Sequence, residues 1–346
     1  MVATTMKRWI GWVGVLASAV AFAGDGAGAA PADRYARRCR PQASSRWWPA
    51  SQGPKLWGTW SGWSEKDRTH ANEQQSVLVS ANLEGLAKAP EGVKALKLEG
   101  GHLAAAGGAS LKGTVLQGMS SAGEPTEVAI CEEAAADGDP QVAWYQIQAW
   151  NPISKDWENP CSPNGDHPNP RAMVLGGVWD EKGAHHDVAG KVTFACETGD
   201  LSKCVGWGYK PWMSRDGRSL ADGHQACTRM ARADYCGDGQ THTKERTMIE
   251  YYDTMGLNPR LTTAVKGWDP KLASFEAAWA PDGASCLART RHGESLEAIV
   301  KECPNRFKAG KTDLGGGDHC ALERADAAAP AGTLRNRING TPTATR

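Results

Sequence analysis

The chain has 346 residues, with 39 Lys+Arg against 39 Asp+Glu, so a phosphate backbone meets no overall electrostatic attraction and a nucleic-acid partner is excluded as the expected ligand. A composition of 40% hydrophobic and 23% charged residues is that of a globular chain able to bury a core, which excludes wholesale disorder. The 40 Gly, the 15 Trp against four Phe, and the ten Cys point instead to a loop-rich, cross-linked, exported protein.

Lys7 and Arg8 precede an apolar run over residues 9–22, and Ala21-Phe22-Ala23 offers a small-x-small cleavage pattern. Residues 1–23 are therefore expected to be a signal peptide, with a second possible cut after Ala29. The run falls short of the roughly 20 apolar residues a spanning helix needs, so no transmembrane anchor is expected after cleavage. Removing Lys7 and Arg8 leaves 37 basic and 39 acidic residues, 37 − 39 = −2, and the charge stays near zero.

Residues 24–75 carry Trp47, Trp48, Trp57, Trp60 and Trp63 among Pro and Gly with no helical or strand period. They form either an irregular arm packing its indoles on the body or an exposed recognition segment. Residues 76–212 read as β, with strands expected over 95–103, 111–117, 126–132, 142–150, 172–179 and 191–196 between Gly, Pro and Asp/Asn clusters. Alternation is clearest over 142–150, where Trp144, Gln146, Gln148 and Trp150 share one face while Ala143, Tyr145, Ile147 and Ala149 share the other, inward-packing face.

Residues 213–325 form a mixed α/β region. Leu220, His224, Cys227 and Ala231 follow helical spacing, which predicts a helix over 219–233 capped by Ser219. Further helices are expected over 248–255 and 295–303, and a hairpin around Pro281-Asp282-Gly283. In the tail, 326–346, residues 334–338 offer a possible last strand. The fold class expected is α+β: an antiparallel β-rich sandwich or barrel-like region followed by a disulfide-pinned helical and mixed region.

An even number of cysteines in an exported chain implies bridges. Cys196–Cys204 is nominated first, across a polar turn, and Cys286–Cys303 is another candidate. Cys227 and Cys236 bridge each other only if the helix breaks between them; otherwise they have other partners. The absence of any CxxC pair disfavours structural zinc, and no metal or cofactor is expected.

The stretch from His224 to Gly239, containing Ala233-Asp234-Tyr235-Cys236, resembles the signature of the bacterial ADYC-domain family. Phe194-Ala195-Cys196, the block from Lys203 to Trp212, and Phe275-Glu276-Ala277-Ala278-Trp279 with the segment from Pro281 to Cys286 are similar to its other blocks. The resemblance spans roughly residues 96–339 and leaves the Trp-rich arm outside. It implies an exported bacterial protein and brings no activity with it.

Candidate catalytic groups are Asp234, Asp238, Glu250 and His224. Asp234, at a helix end, either accepts backbone N–H groups of the 237–239 turn and pairs with Arg229, Arg232 or Lys210, or serves as a general acid or base. His185-His186-Asp187 has ligand types, but adjacent residues point apart and no third ligand is evident. Trp144, Gln146, Gln148 and Trp150 are the candidate ligand-binding face, because indole planes stack on sugar rings while carboxamides bond hydroxyls. The function expected is a non-catalytic binding or envelope-interaction module with a glycan or other envelope component as partner. The alternative is a hydrolase acting on envelope or prey polymers through carboxylates, and a third possibility is a purely structural surface protein.

Overall fold

The computed structural model of the chain describes residues 33–41, 55–70, 72–244, 246–307, 313–314 and 334–339. The expected signal peptide, Trp47 and Trp48 lie outside them. The described elements belong to the unit Arg34–Arg346.

The first half is built from β1 (Ser80–Lys88), β2 (Leu96–Glu99), β3 (His102–Ala105), β4 (Val115–Met119), β5 (Pro125–Ala136), β6 (Asp139–Asn151), β7 (Asp156–Glu158), β8 (Ala172–Gly176), β9 (Val178–Trp179), β10 (His185–His186) and β11 (Lys191–Cys196), after a short helix α1 (Glu65–Thr69). Six strands follow one another antiparallel in the order β5-β4-β1-β11-β8-β6, and a β5–β6 pairing closes the ring into a barrel. Closure removes exposed strand edges. Alternation decides what fills it: Val128 and Ile130 of β5, Ala143, Tyr145 and Ile147 of β6, and Val192 and Phe194 of β11 share one core cluster. The inward face expected for β6 is the one observed, with Ala149 also buried. On the opposite face of β5, Ala129 and Cys131 pack with Trp157 under the segment Tyr35–Cys39, which the Cys39–Cys131 bridge fastens to the barrel.

The second half contains α2 (Asp200–Gly206), the small hairpin β12 (Ser214–Arg215) and β13 (Arg218–Ser219), α3 (Ala221–Arg232), β14 (Ile249–Tyr252), β15 (Ala273–Ala280), β16 (Gly283–Leu287), α4 (Leu296–Glu302), β17 (Asp313–Leu314) and β18 (Leu334–Asn339). A five-stranded sheet in the order β14-β18-β15-β16-β17 backs α3, whose Ala226, Cys227 and Met230 join Trp279, Ala284, Leu287 and Leu334 in a second core. Its other side faces the barrel region, where Gln225 accepts from Trp179 Nε1 at 2.8 Å. Together these elements make an α+β fold with a barrel-like β region and a disulfide-pinned mixed region.

Several elements depart from the sequence reading. The stretch 95–103 breaks at Gly100-Gly101 into the β2–β3 hairpin. The stretch 172–179 breaks at Gly177, whose φ of 79° only glycine adopts without strain. The stretch 248–255 holds strand β14 over Ile249–Tyr252 rather than a helix, because Ile249 to Tyr252 ladder against β18 and the Ile249 and Tyr251 side chains pack on the second core. The central helix starts one turn position later than expected, with Leu220 at the N-cap and Ser219 Oγ accepting from Ala221 N; it stops at Arg232 because Ala233 is left-handed, φ 51°. The possible last strand is β18, and Ser295 caps α4 through Ala298 N.

The bridges also differ. Cys196 joins Cys161, Cys204 joins Cys227, and Cys236 joins Cys303. The span between Cys196 and Cys204 is the start of a helix, not a hairpin turn, so Cys204 is carried round to face α3 while Cys196 points into the barrel core. Cys286 is also disulfide-bonded, but to a partner outside the described residues rather than to Cys303.

Candidate functional site

The signature residues form a buried joint between α3 and the second sheet. Ala233 turns the chain out of the helix, which brings Asp234 over the following loop. Asp234 is fully buried; its Oδ1 accepts from Gly237 N at 2.8 Å and Asp238 N at 3.1 Å, and its Oδ2 from Gly239 N at 3.0 Å and Arg229 Nη1 at 2.5 Å. Arg229 also donates from Nη1 to the carbonyl of Lys182 and from Nε to that of Pro281. Tyr235 donates to Glu276 at 3.0 Å and accepts from Arg291 N at 2.7 Å. Burial, with the Glu276 carboxylate beside it, pushes the phenol well above its ordinary range. Glu276 is bound in turn by Arg291 and by Asn336 Nδ2, and Arg291 caps the last carbonyls of α3 at Met230 and Ala231. Cys236 closes the motif through its bridge to Cys303.

The four candidate catalytic groups are not brought together. His224 is buried against Trp179, with Nε2 3.0 Å from Leu201 O; loss of hydration lowers its pKa to about 4, so it is neutral at pH 7. Glu250 is buried in an ion pair with Arg337 and accepts from Leu261 N. Asp238 is partly exposed and accepts from Gln240 N at 3.0 Å. Asp238 and Glu302 have oxygens within 4.8 Å of each other and of Cys236 Sγ, but that sulfur is committed to the bridge with Cys303 and offers no thiolate. His185 bonds Gly176 O while His186 pairs with Asp180 at 2.9 Å, so the two imidazoles diverge.

The aromatic and amide face of β6 is divided among three surroundings. The Arg171 guanidinium covers Trp144 at 5.1 Å from the ring centroid. Gln148 is held by Cys39 N and Arg40 O, and Gln146 lines a small hollow of about 220 Å³ beside the Cys39–Cys131 bridge. Trp150, packed edge-on against Trp157, lines a larger open cleft of about 480 Å³.

Trp63 of the arm lines the same cleft, and Ser61, Gln75, Ser120 and Ser121 add hydroxyl and carboxamide groups. The arm is seated there by backbone bonds: Trp60 N donates to Pro160 O and Val77 N to Trp60 O, both at 2.9 Å, with Trp57 and Trp60 buried beneath. Helix α1 begins with a capping box in which Ser64 Oγ accepts from Asp67 N, fixing Asp67 at the cleft wall. Sequence reasoning marked Trp63 and Trp150 separately. It missed the serines and Gln75, whose only signal is their place in loops flanking those tryptophans.

The profile of the ADYC domain matches residues 108–293, more than half of the chain. The chain belongs to the ADYC-domain family. The matched span is narrower than the residues 96–339 suggested by the motif blocks, and it includes the barrel from β4 onward together with the Asp234 joint. No curated protein and no solved structure matches the chain. The Trp63 side of the cleft thus belongs to the arm that precedes the ADYC domain, and the Ser120 and Trp150 side to the domain itself.

Proposed function

We propose that this ADYC protein is exported and acts as a non-catalytic binding module that holds a glycan of the cell envelope in the cleft between Trp63 and Trp150. The observation that carries the reading is the cleft: two indoles with serine hydroxyls and a carboxamide in one open hollow of about 480 Å³, a combination suited to a sugar's C–H face and hydroxyls. Binding is favoured over hydrolysis because Asp234 and Glu250 are buried and already paired with Arg229 and Arg337, out of reach of a polymer. Four bridges among the described residues, with Cys286 in a further one, support an oxidising destination. Among the described residues no helix is long and apolar enough to cross a membrane.

The test is co-sedimentation of the mature protein with purified bacterial sacculi, with released fragments assayed in the supernatant. Binding without release is expected, weakened about tenfold in Trp63→Ala. Unchanged sedimentation in that variant removes the cleft from the interaction, and fragment release revives the hydrolase alternative.

A further inference from the structure

The four bridges among the described residues differ in how open they are to an attacking thiol. Cys161–Cys196 and Cys204–Cys227 join residues at most 1% exposed, and Cys286 is equally buried; a reductant does not reach them while the fold holds. Cys236 and Cys303 are partly exposed, but the Asp238 and Glu302 carboxylates stand within 4.8 Å of Cys236 Sγ. Negative charge there repels an incoming thiolate and disfavours the thiolate that must leave. Cys39–Cys131 meets neither obstacle. Cys39 is partly exposed, and both cysteines line the hollow of about 220 Å³. Arg40 and Lys112 line the same hollow against the single carboxylate of Glu132, so the local charge favours a thiolate. Cys39 is also left-handed, φ 59°, a conformation that a residue with a Cβ keeps only under constraint.

This bridge ties the segment Tyr35–Cys39 covalently to the barrel across a sequence separation of 92. The hydrogen bonds beside it run through side chains: Cys39 N donates to Gln148 Oε1 at 2.7 Å, Gln148 Nε2 to Arg40 O at 2.8 Å, Arg38 Nε to Gly113 O at 2.8 Å and Trp157 Nε1 to Arg34 O at 2.9 Å. Ties of that kind open locally at lower cost than a strand ladder. We propose that Cys39–Cys131 is a site of thiol–disulfide exchange with a dithiol reductant, and that its opening releases the segment Tyr35–Cys39 from the barrel. One thiolate of the dithiol attacks Cys39 Sγ, the S–S bond breaks, and Cys131 leaves as a thiolate that takes up a proton in the hollow. The reductant's second thiol, losing its proton, then displaces Cys39 from the mixed disulfide. The bridge gains two electrons and two protons, and the dithiol becomes a disulfide. Release uncovers the apolar outer face formed by Val115, Ala129 and Trp157, and it takes Arg34 away from the Trp150 ring, over which it lies at 5.2 Å.

In the test, the folded, oxidised chain is incubated with reduced dithiothreitol, and thiols are alkylated at successive times and located by peptide mass spectrometry. Cys39 and Cys131 are expected to be trapped at least about tenfold sooner than the cysteines of the other three bridges, with native near-ultraviolet circular dichroism retained. Lys112→Gln, at an exposed position, is expected to slow their trapping about threefold. Trapping of Cys236 and Cys303 first, trapping of all bridges together at the unfolding rate, or an unchanged rate in Lys112→Gln overturns the assignment. In a Cys39→Ala/Cys131→Ala variant, hydrogen exchange over 34–40 is expected to rise at least about tenfold while β5 and β6 keep their protection. Unchanged exchange over 34–40 shows that the bridge does not hold the segment, and lost protection in β5 and β6 shows that opening unfolds the barrel; either result overturns the release.

Discussion

Replacing Asp234 by Asn separates a structural carboxylate from a catalytic one. The side chain accepts four hydrogen bonds, three from backbone N–H groups of the 237–239 turn and one from Arg229. Asparagine has one oxygen. If that oxygen keeps Gly237 and Asp238, its NH₂ is forced against Gly239 N–H and the Arg229 guanidinium, donor against donor. Arg229, itself buried, then loses its counter-charge and keeps only the carbonyls of Lys182 and Pro281. Breaking one side of a buried, hydrogen-bonded ion pair costs about 3–5 kcal/mol, a large share of the roughly 5–15 kcal/mol that holds a domain folded.

The assay is urea unfolding followed by tryptophan fluorescence under non-reducing conditions, with Arg229→Met and the double variant completing a thermodynamic cycle. Asp234→Asn is expected to lose about 4 kcal/mol, and the double variant to be at least about 2 kcal/mol more stable than the sum of the single losses. Asp234→Asn within about 1 kcal/mol of the parent, or strictly additive losses, refutes the joint as the reason for the aspartate. That result would return Asp234 to the list of groups free to do chemistry.

Three further perturbations test other parts of the fold. His224 stays neutral in the folded protein down to about pH 4, while in the unfolded chain it takes up a proton near pH 6.5; its contribution is present above pH 6.5 and is lost as pH falls towards 4, by about 3 kcal/mol. Comparing His224→Gln with the parent across that window is expected to show a shallower loss in the variant, and an identical slope contradicts the assignment. Exchanging both Cys204 and Cys227 for Ala opens a link of sequence separation 23 and is expected to cost about 3 kcal/mol by urea midpoint, with the barrel bridges intact by mass after alkylation. Gly237→Ala places a Cβ 1.9 Å from Asp282 O at a φ of 72°, so it is expected to lose at least about 3 kcal/mol or to fail to accumulate; normal yield and melting behaviour refute that packing.

How much of this was legible in the sequence follows from the range of each interaction. The alternation from Val142 to Trp150 showed which side of β6 faces the barrel, because a period of two needs no knowledge of the partner strand. Strand β1 escaped notice because Asn82, Glu84 and Gly85 interrupt its apolar residues, and its pairing with β4 shifts register between Ala81 and Leu86. Helix α2 is seven residues long, too short for a period to emerge, and its absence from the reading produced the mistaken Cys196–Cys204 pairing. Residues 248–255 carry no local feature that distinguishes helix from strand; β18, some 80 residues later, decides the matter. The cleft is assembled from the segments around Ser61, Gln75 and Ser120, the end of β6 at Trp150, and Glu181, and no spacing within any one of them announces the others.

The signature itself bears on where function resides. Each of its four letters is consumed by the joint: Ala233 tolerates the left-handed turn, Asp234 ties the loop to Arg229, Tyr235 bridges Glu276 and the Arg291 backbone, and Cys236 fastens α4. Glu276 and Arg291 sit inside the same network, so two buried ion pairs flank the turn. Pairs of this kind add little net stability over apolar packing but penalise any arrangement that separates them. The penalty fixes one docking of α3 on the second sheet, and through Gln225 and His224 it fixes α3 on the barrel side as well. A motif committed in this way can be shared by proteins with different ligands. Segments outside the joint are free to carry what differs between such proteins, and in this chain the arm residue Trp63 and the β6 residue Trp150 line one cleft there.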